Sequence, residues 1–163
     1  MSADDLAEVS RTLSRKGGED ATAARKFAGD SDISDEIVGF HAQQAIEKWL
    51  KAIIAGREEA FDHTHDLRRL MILVARDLAE VPFDADAVIA LTQYSAPLRY
   101  EDLLDAEPID RDSTVALVNK VGRWAEAQLA ESPDDESAKG DESAEGDESV
   151  EGDESGESGE EAS

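Results

Sequence analysis

The chain has 163 residues, no cysteine and a formal net charge of −24. This length suggests one domain, the missing thiols exclude disulfides and thiolate catalysis, and the excess of acid disfavours non-specific nucleic-acid binding. No segment approaches the roughly 20 apolar residues of a membrane span, and the N-terminus lacks an apolar signal core, so we expect a cytoplasmic protein.

The first predicted helical segment covers residues 4–28. Its apolar residues recur near a helical period, and they are Leu6, Val9, Leu13, Ala24 and Phe27. Gly17 and Gly18 weaken a helix by about 1 kcal/mol each relative to alanine. They indicate either a kink in one helix or a boundary between two.

The second predicted helix runs from about Ile33 to Ala55, after an N-cap supplied by "GDSDISDE", and Gly56 ends it. We expect its core face to comprise Ile33, Ile37, Phe40 or Val38, Ala45, Trp49 and Ile53.

Three further helices are predicted. One spans about His65 to Ala79, with Thr64 as its cap and a core face of Leu67, Leu70, Met71, Val74 and Leu78. A shorter one covers Ala85 to Tyr94, "PLRYEDLLDAEP" is irregular or a single turn, and the last helix opens at Asp110 or Asp112. The apolar residues of this last helix are Val115, Leu117, Val118, Val121, Trp124 and Leu129.

Residues 1–131 are therefore predicted to form an all-α, antiparallel up-and-down bundle of four to five helices. The helix faces are broad, and we expect edges that the bundle leaves uncovered to pair in a homodimer. The short connections and the absence of alternating strand patterns favour this architecture.

The last segment, residues 132–163, repeats Asp-Glu-Ser with glycine and carries fourteen acids and one lysine. With almost no apolar side chains it cannot offset its chain entropy, so we predict a disordered acidic tail. Its role is either that of an interaction or solubility tail or that of a solvated extension. The acidity of both parts is compatible with a salt-adapted host.

A polar stripe follows the second predicted helix in "FHAQQAIEKWLKAIIA". His41, Gln44, Lys48 and Lys51 are spaced by three, four and three residues and share one face, with Gln43 and Glu47 beside them. Adjacent amides suit either a ligand or partner site or the pairing of buried polar groups, whereas a solvated face usually carries only charges.

Other candidate residues lie in two connections. His63, His65 and Asp66 in "HTHD" are too few for a zinc site, so we predict no metal and take them as the polar start of a helix. Arg99, before Tyr100, offers a planar fork to phosphate or carboxylate, or a salt bridge to Glu47, Glu101 or Asp102. The chain has neither a nucleophile elbow nor a phosphate-binding glycine loop.

Three motifs in order, "FHAQQAIEKWLKAIIA", "THDLRRLM" and "PLRYED", resemble the HEPN domain family over roughly residues 6–127. The resemblance implies a helical bundle that is often dimeric and that, in many prokaryotic members, pairs with a minimal nucleotidyltransferase as a toxin–antitoxin system. Some members are metal-independent RNases, with an arginine followed four to six residues later by a histidine at the dimer groove.

This sequence departs from the RNase pattern because no histidine follows Arg99. Arg57 and His63, with five residues between them, have the right spacing but lie in a different connection. The resemblance therefore favours a non-catalytic module that binds a nucleotide, RNA or the nucleotidyltransferase partner, without a cofactor. Alternatives are a metal-independent RNase toxin, with Arg57–His63 or with Arg99 and a histidine such as His41 or His65, and a purely structural helical subunit. The predicted ligand- or partner-binding residues are His41, Gln44, Glu47, Lys48, Lys51, His65, Asp66, Arg99 and Tyr100.

Overall fold

Helices account for most of the described chain, which in this computed structural model comprises residues 1–61, 63–78, 80–95 and 108–131. The α-helices are α1 (Ala3–Ala28), α2 (Asp35–Gly56), α3 (Leu67–Ala75), α4 (Ala85–Ala90) and α5 (Arg111–Ala130). A 3₁₀ turn, Leu91–Tyr94, follows α4 directly. Within these residues there is no strand, and the all-α prediction is confirmed. The predicted acidic tail and the segment 97–107 lie outside the described residues.

The helices α1 and α2 form an antiparallel hairpin. Ser10 Oγ donates a hydrogen bond to the carbonyl of Ala52 (2.8 Å), while Asp20, further along α1, accepts one from Lys48 Nζ (2.5 Å). The residue later in α1 therefore contacts the residue earlier in α2, which shows that the two helices run in opposite directions.

One continuous helix passes through Gly17 and Gly18, so these glycines do not divide α1. The indole of Trp49 lies against Gly17, where an added Cβ would be 2.7 Å from the ring. On its other side the ring meets Gly122 of α5, where an added Cβ would be 2.8 Å away. The two glycines therefore let α1 and α5 close on a single tryptophan.

The core is arranged around α2, which packs against α1, α3, α5 and the 3₁₀ turn. Predicted core residues Ala45, Trp49 and Ile53 are buried. The prediction was wrong for Ile37, which is 44% exposed, while its neighbour Val38 is buried. The rotation of α2 about its axis follows from a contact that sequence periodicity does not reveal: the ring of Tyr94 packs directly over Gly39.

The connection from α2 to α3 returns along α2 before the next helix begins. It leaves α2 through Glu58, whose φ of 58° lies in the left-handed region. At its end the side chain and the carbonyl of His65 contact the middle of α2. The helix α3 therefore starts beside the centre of α2.

The third helix is shorter than the sequence predicted. It begins at Leu67 rather than His65, and its N-cap is Asp66 rather than Thr64, because the Asp66 carboxylate accepts a hydrogen bond from the Arg68 amide (2.9 Å). It ends at Ala75, and the predicted core residue Leu78 lies beyond it, half-buried.

The last two α-helices start at aspartate caps. Asp84 accepts hydrogen bonds from the first turn of α4, and Asp110 caps α5, which confirms one of the two predicted openings of the last helix. Arg111 then fixes α5 to the α1–α2 loop and to the start of α2. It donates to the loop carbonyls of Asp30 (2.8 Å) and Ile33 (2.6 Å) and to Asp35, the first residue of α2 (2.6 Å). None of the described helices has the length and apolar character that crossing a membrane requires.

Candidate functional site

Polar side chains lie inside the bundle along one edge of α2. Gln43 is fully buried, Glu47 is 4% exposed and Lys51 is 9% exposed. These three residues are spaced by four, so they stack on one face of the helix, which the start of α3 approaches. A buried carboxylate and a buried ammonium group must be paired to persist there.

Glu47 is the acceptor at the centre of this group. Its carboxylate receives hydrogen bonds from Gln43 Nε2 (2.8 Å) and Lys51 Nζ (2.7 Å). His65 Nδ1 lies 3.0 Å from one carboxylate oxygen and 3.1 Å from the other. Gln43 Nε2 also donates to the carbonyl of His65 (3.3 Å), so His65 joins the loop to the helix twice, through its ring and through its carbonyl.

A second acceptor, Asp20 of α1, organises the neighbouring polar residues. One of its oxygens lies 2.9 Å from His41 Nδ1 and the other accepts from Lys48 Nζ (2.5 Å). Lys48 also donates to Gln44 (2.9 Å), and Gln44 donates to Gln43 (2.8 Å). The two groups therefore form one polar network, which consists of Asp20, His41, Gln43, Gln44, Glu47, Lys48, Lys51 and His65.

The Glu47 carboxyl is held in its charged form. Burial is the largest influence and by itself would raise the pKa, but hydrogen bonds from Lys51 and Gln43 and the charge of Lys51 together outweigh it. The pKa of Glu47 consequently lies below its ordinary value. The network therefore contains a carboxylate–ammonium pair rather than two neutral groups.

The lowered pKa of Glu47 predicts a loss of stability in acid. The unfolded chain binds a proton at about pH 4.3, the ordinary glutamate value, whereas the folded chain binds it only at lower pH. The stabilisation is thus complete above that value and is lost as the pH falls through the folded pKa. Urea denaturation at pH 6 and pH 3 should show that the stability advantage of the wild type over Glu47→Gln shrinks at pH 3. An advantage independent of pH would contradict this.

The three histidines have different surroundings. His41 packs edge-on against Phe27 and Phe40, and its side chain is 26% exposed. The His65 side chain is 65% exposed although its Nδ1 contacts the buried Glu47. His63 is exposed. Across the described ranges, no group of three or more histidine, aspartate and glutamate side chains is arranged to hold a metal ion.

The remaining predicted residues are separate from the network. Arg57 donates to the carbonyl of Val74 (2.9 Å) and so joins the end of α2 to the end of α3. In the part of the chain that the structure describes, no hydrogen bond links Arg57 to His63. Asp66 serves as the N-cap of α3. Arg99 and Tyr100 lie outside the described residues.

Sequence reasoning missed Asp20, although a signal for it is present. Gly17, Ala21 and Ala24 are small, are spaced by four and three, and are buried where α1 meets α2. Small residues at this spacing mark the face of α1 that packs closely on α2. An acidic residue beside that face lies next to α2, which carries the basic residues of the polar stripe. The stripe is thus split between Asp20 and Glu47 rather than turned as a whole towards solvent.

Comparison with known proteins gives one family match. A family model described as the HEPN domain matches residues 10–128, which is more than half of the chain. The comparisons with curated proteins and with solved structures gave no match.

Proposed function

Since the chain belongs to the HEPN family, we propose that it is a non-catalytic HEPN module that binds a nucleotide or a protein partner. The partner that we propose is a minimal nucleotidyltransferase, in a pair of the toxin–antitoxin type, and the module acts as a homodimer. One observation carries the proposal: no histidine follows His65, so Arg99 lacks the histidine of the RNase motif. Without that general base, proton abstraction at this position would lose about 10²–10⁴-fold in rate.

The hydrogen bonds of the polar network support a binding role over a catalytic one. In the described residues, every buried side-chain nitrogen and oxygen of the protein has a partner. The buried donors and acceptors of the network are therefore already used for one another, and they hold the start of α3 against α2. A ligand would meet the exposed rim that they support, which includes His65 and Asp66. Arg99 and Tyr100 are proposed as ligand-binding residues from the sequence alone.

The proposal is tested by binding. The purified chain should co-elute with a minimal nucleotidyltransferase encoded beside its gene, and titration calorimetry should detect that complex or ATP binding. We expect His65→Ala to weaken the interaction at least about 10-fold, because a rim contact is lost. His63→Ala is the matched control, since His63 is exposed and outside the network. If neither co-elution nor heat of binding is found, only the structural role remains.

A second candidate function, metal-independent RNA cleavage, is favoured by the contact between Glu47 and His65. A buried carboxylate at Nδ1 fixes the ring and leaves Nε2 as the nitrogen that could accept a proton from a 2′-hydroxyl. Arg57 is a less suitable phosphate ligand, because it already donates to Val74. RNA cleavage in EDTA that His65→Ala abolishes and His63→Ala preserves would support this candidate. A wild type that neither cleaves RNA nor slows growth excludes it.

A further inference from the structure

A group of apolar side chains lies at the end of the bundle where α1 passes into α2. The ring of His41 contacts Phe27 of α1 and Phe40 of α2, and both ring centroids are 5.3 Å away. Ile37 lies one turn before His41 and is 44% exposed, while the two phenylalanines are half-buried. Within the described ranges, neither the core nor the side chains that pack against it include these three apolar residues. Adjoining apolar side chains of this kind mark a surface that another molecule covers.

The chain that enters α2 beside this group is acidic. Residues 30–36 contain no base and four acids, which are Asp30, Asp32, Asp35 and Glu36. In the described chain only one of the four takes part in an ion pair, since Asp35 contacts Arg111. The other three carboxylates therefore keep a negative charge that no cation of the described residues pairs with.

The unpaired acids adjoin the apolar side chains. The amide of Asp30 donates to the carbonyl of Phe27 (3.1 Å), and Glu36 lies one turn before Phe40 on the same face of α2. Lys26 precedes Phe27 directly, so the helix turns it to a different side. Apolar and acidic side chains thus form one surface, the α1–α2 patch, which consists of Phe27, Asp30, Asp32, Glu36, Ile37 and Phe40.

The acidic loop is held in one shape before anything binds to it. Arg111 donates to the carbonyls of Asp30 (2.8 Å) and Ile33 (2.6 Å), and the amide of Ile33 closes a turn on the Asp30 carbonyl (3.3 Å). The Asp30 carboxylate accepts a further hydrogen bond from the amide of Asp32 (2.9 Å). Because the loop is already ordered, a binding partner does not have to supply the free energy of ordering it.

We infer that the α1–α2 patch binds a basic amphipathic segment of a partner protein. An apolar face of that segment covers Ile37 and the two phenylalanine rings, while its lysine or arginine side chains reach Asp30, Asp32 and Glu36. Charge selects this occupant, because a second copy would bring the same unpaired acids and because nucleic acid or an anionic membrane would be repelled.

The inference deepens the proposed function and rests on its partner part. It states which surface meets the protein partner and what chemistry that partner presents there. The α1–α2 patch is separate from the rim around His65, since its residues belong to α1, the α1–α2 loop and the first turns of α2.

A synthetic peptide tests the chemistry without the natural partner. The probe is a fluorescein-labelled helix of about four turns with leucine on one face and lysine on the other, and its glutamate analogue is the charge control. The chain has three histidines, so their ring protons give few NMR signals. The lysine peptide should shift the His41 signals and leave those of His63 in place. No shift at His41, or the same shift with the glutamate peptide, overturns the inference.

Substitutions then locate the contact by fluorescence anisotropy with the full chain. Ile37→Ser should raise the dissociation constant of the lysine peptide at least about 10-fold, because its apolar face loses a central contact. Ile72→Ser is the matched control, since Ile72 is an exposed isoleucine of α3, and it should stay within about two-fold of the wild type. Residues 132–163 also attract the peptide, but they are the same in both variants. Equal effects of the two substitutions overturn the inference.

Neutralising two acids tests the charge contribution. Asp32→Asn combined with Glu36→Gln should raise the dissociation constant about 3–10-fold and make it depend less on salt, because charge is removed while side-chain shape is kept. Asp4→Asn combined with Glu8→Gln is the control, since it removes the same charge from exposed positions of α1. If both pairs weaken binding alike, the peptide responds to overall charge and the patch is overturned.

The nucleotidyltransferase encoded beside the gene separates this inference from the proposed function. Co-elution that Ile37→Ser abolishes and Ile72→Ser preserves supports both. A wild type that binds the lysine peptide at His41 but not the enzyme rejects that enzyme as the partner and supports the patch alone. Co-elution that persists in Ile37→Ser, or a homodimer that dissociates in it, overturns the assignment of the patch to a basic partner.

Discussion

Replacing Glu47 with alanine should lower the free energy of unfolding by about 3–5 kcal/mol, the usual cost of removing one member of a buried ion pair. The Lys51 side chain, 11% exposed, would keep its charge without an acceptor. The buried amide of Gln43 and Nδ1 of His65 would lose the same partner. Three side chains therefore lose one acceptor at once, and urea denaturation at pH 7 measures the loss.

The control is an acid paired on the surface. Glu59 accepts a hydrogen bond from Arg76 (2.7 Å), but the two side chains are 32% and 54% exposed. Water can replace that contact, so Glu59→Ala should cost no more than about 1 kcal/mol. Equal losses for the two variants would show that Glu47 is not held as a buried charge.

Alanine at Gly17 should leave the protein less stable than alanine at Gly18. Each substitution gains about 1 kcal/mol of helix propensity, and nothing lies within 4 Å of a Cβ at Gly18. At Gly17 the new Cβ would meet the Trp49 ring at 2.7 Å, and Gly122 blocks the ring from moving away. The difference between the variants should equal the overpacking penalty, about 1–3 kcal/mol. Thermal and urea denaturation measure it.

A third variant examines the same ring from its other side. Gly122→Ala would place a Cβ 2.8 Å from Trp49, so it should behave like Gly17→Ala and not like Gly18→Ala. If alanine at positions 17 and 18 proves equally stabilising, the tryptophan does not restrict how closely α1 approaches.

The fold was predictable where local sequence determines it. An aspartate cap and apolar periodicity predicted α5, because both depend on residues within one or two turns. From the sequence, Gly17 was expected to weaken or divide the first helix. Its packing against Trp49 could not be predicted, because Trp49 is distant in sequence. The exposure of Ile37, which was predicted to be a core residue, depends on Tyr94 packing over Gly39, another long-range contact.

The candidate site was predictable in composition but not in connectivity. Adjacent amides beside Glu47 and Lys48 indicated either buried polar groups or a ligand or partner site, and the structure joins these side chains in one network. Periodicity alone could not show that Lys48 pairs with Asp20 while Lys51 pairs with Glu47. The partners come from α1 and from the start of α3, so tertiary packing decides them. For the same reason the anchoring of Arg111 to the α1–α2 loop was not predicted.

The position of Trp49 has a consequence for how this protein unfolds. One indole covers contacts with the first and the last helix, so neither can detach without exposing it to water. Release of α5 alone would therefore already carry much of the cost of complete unfolding, which leaves partly opened forms sparsely populated. The tryptophan thus couples the two ends of the bundle into one cooperative unit, and its fluorescence reports on both at once.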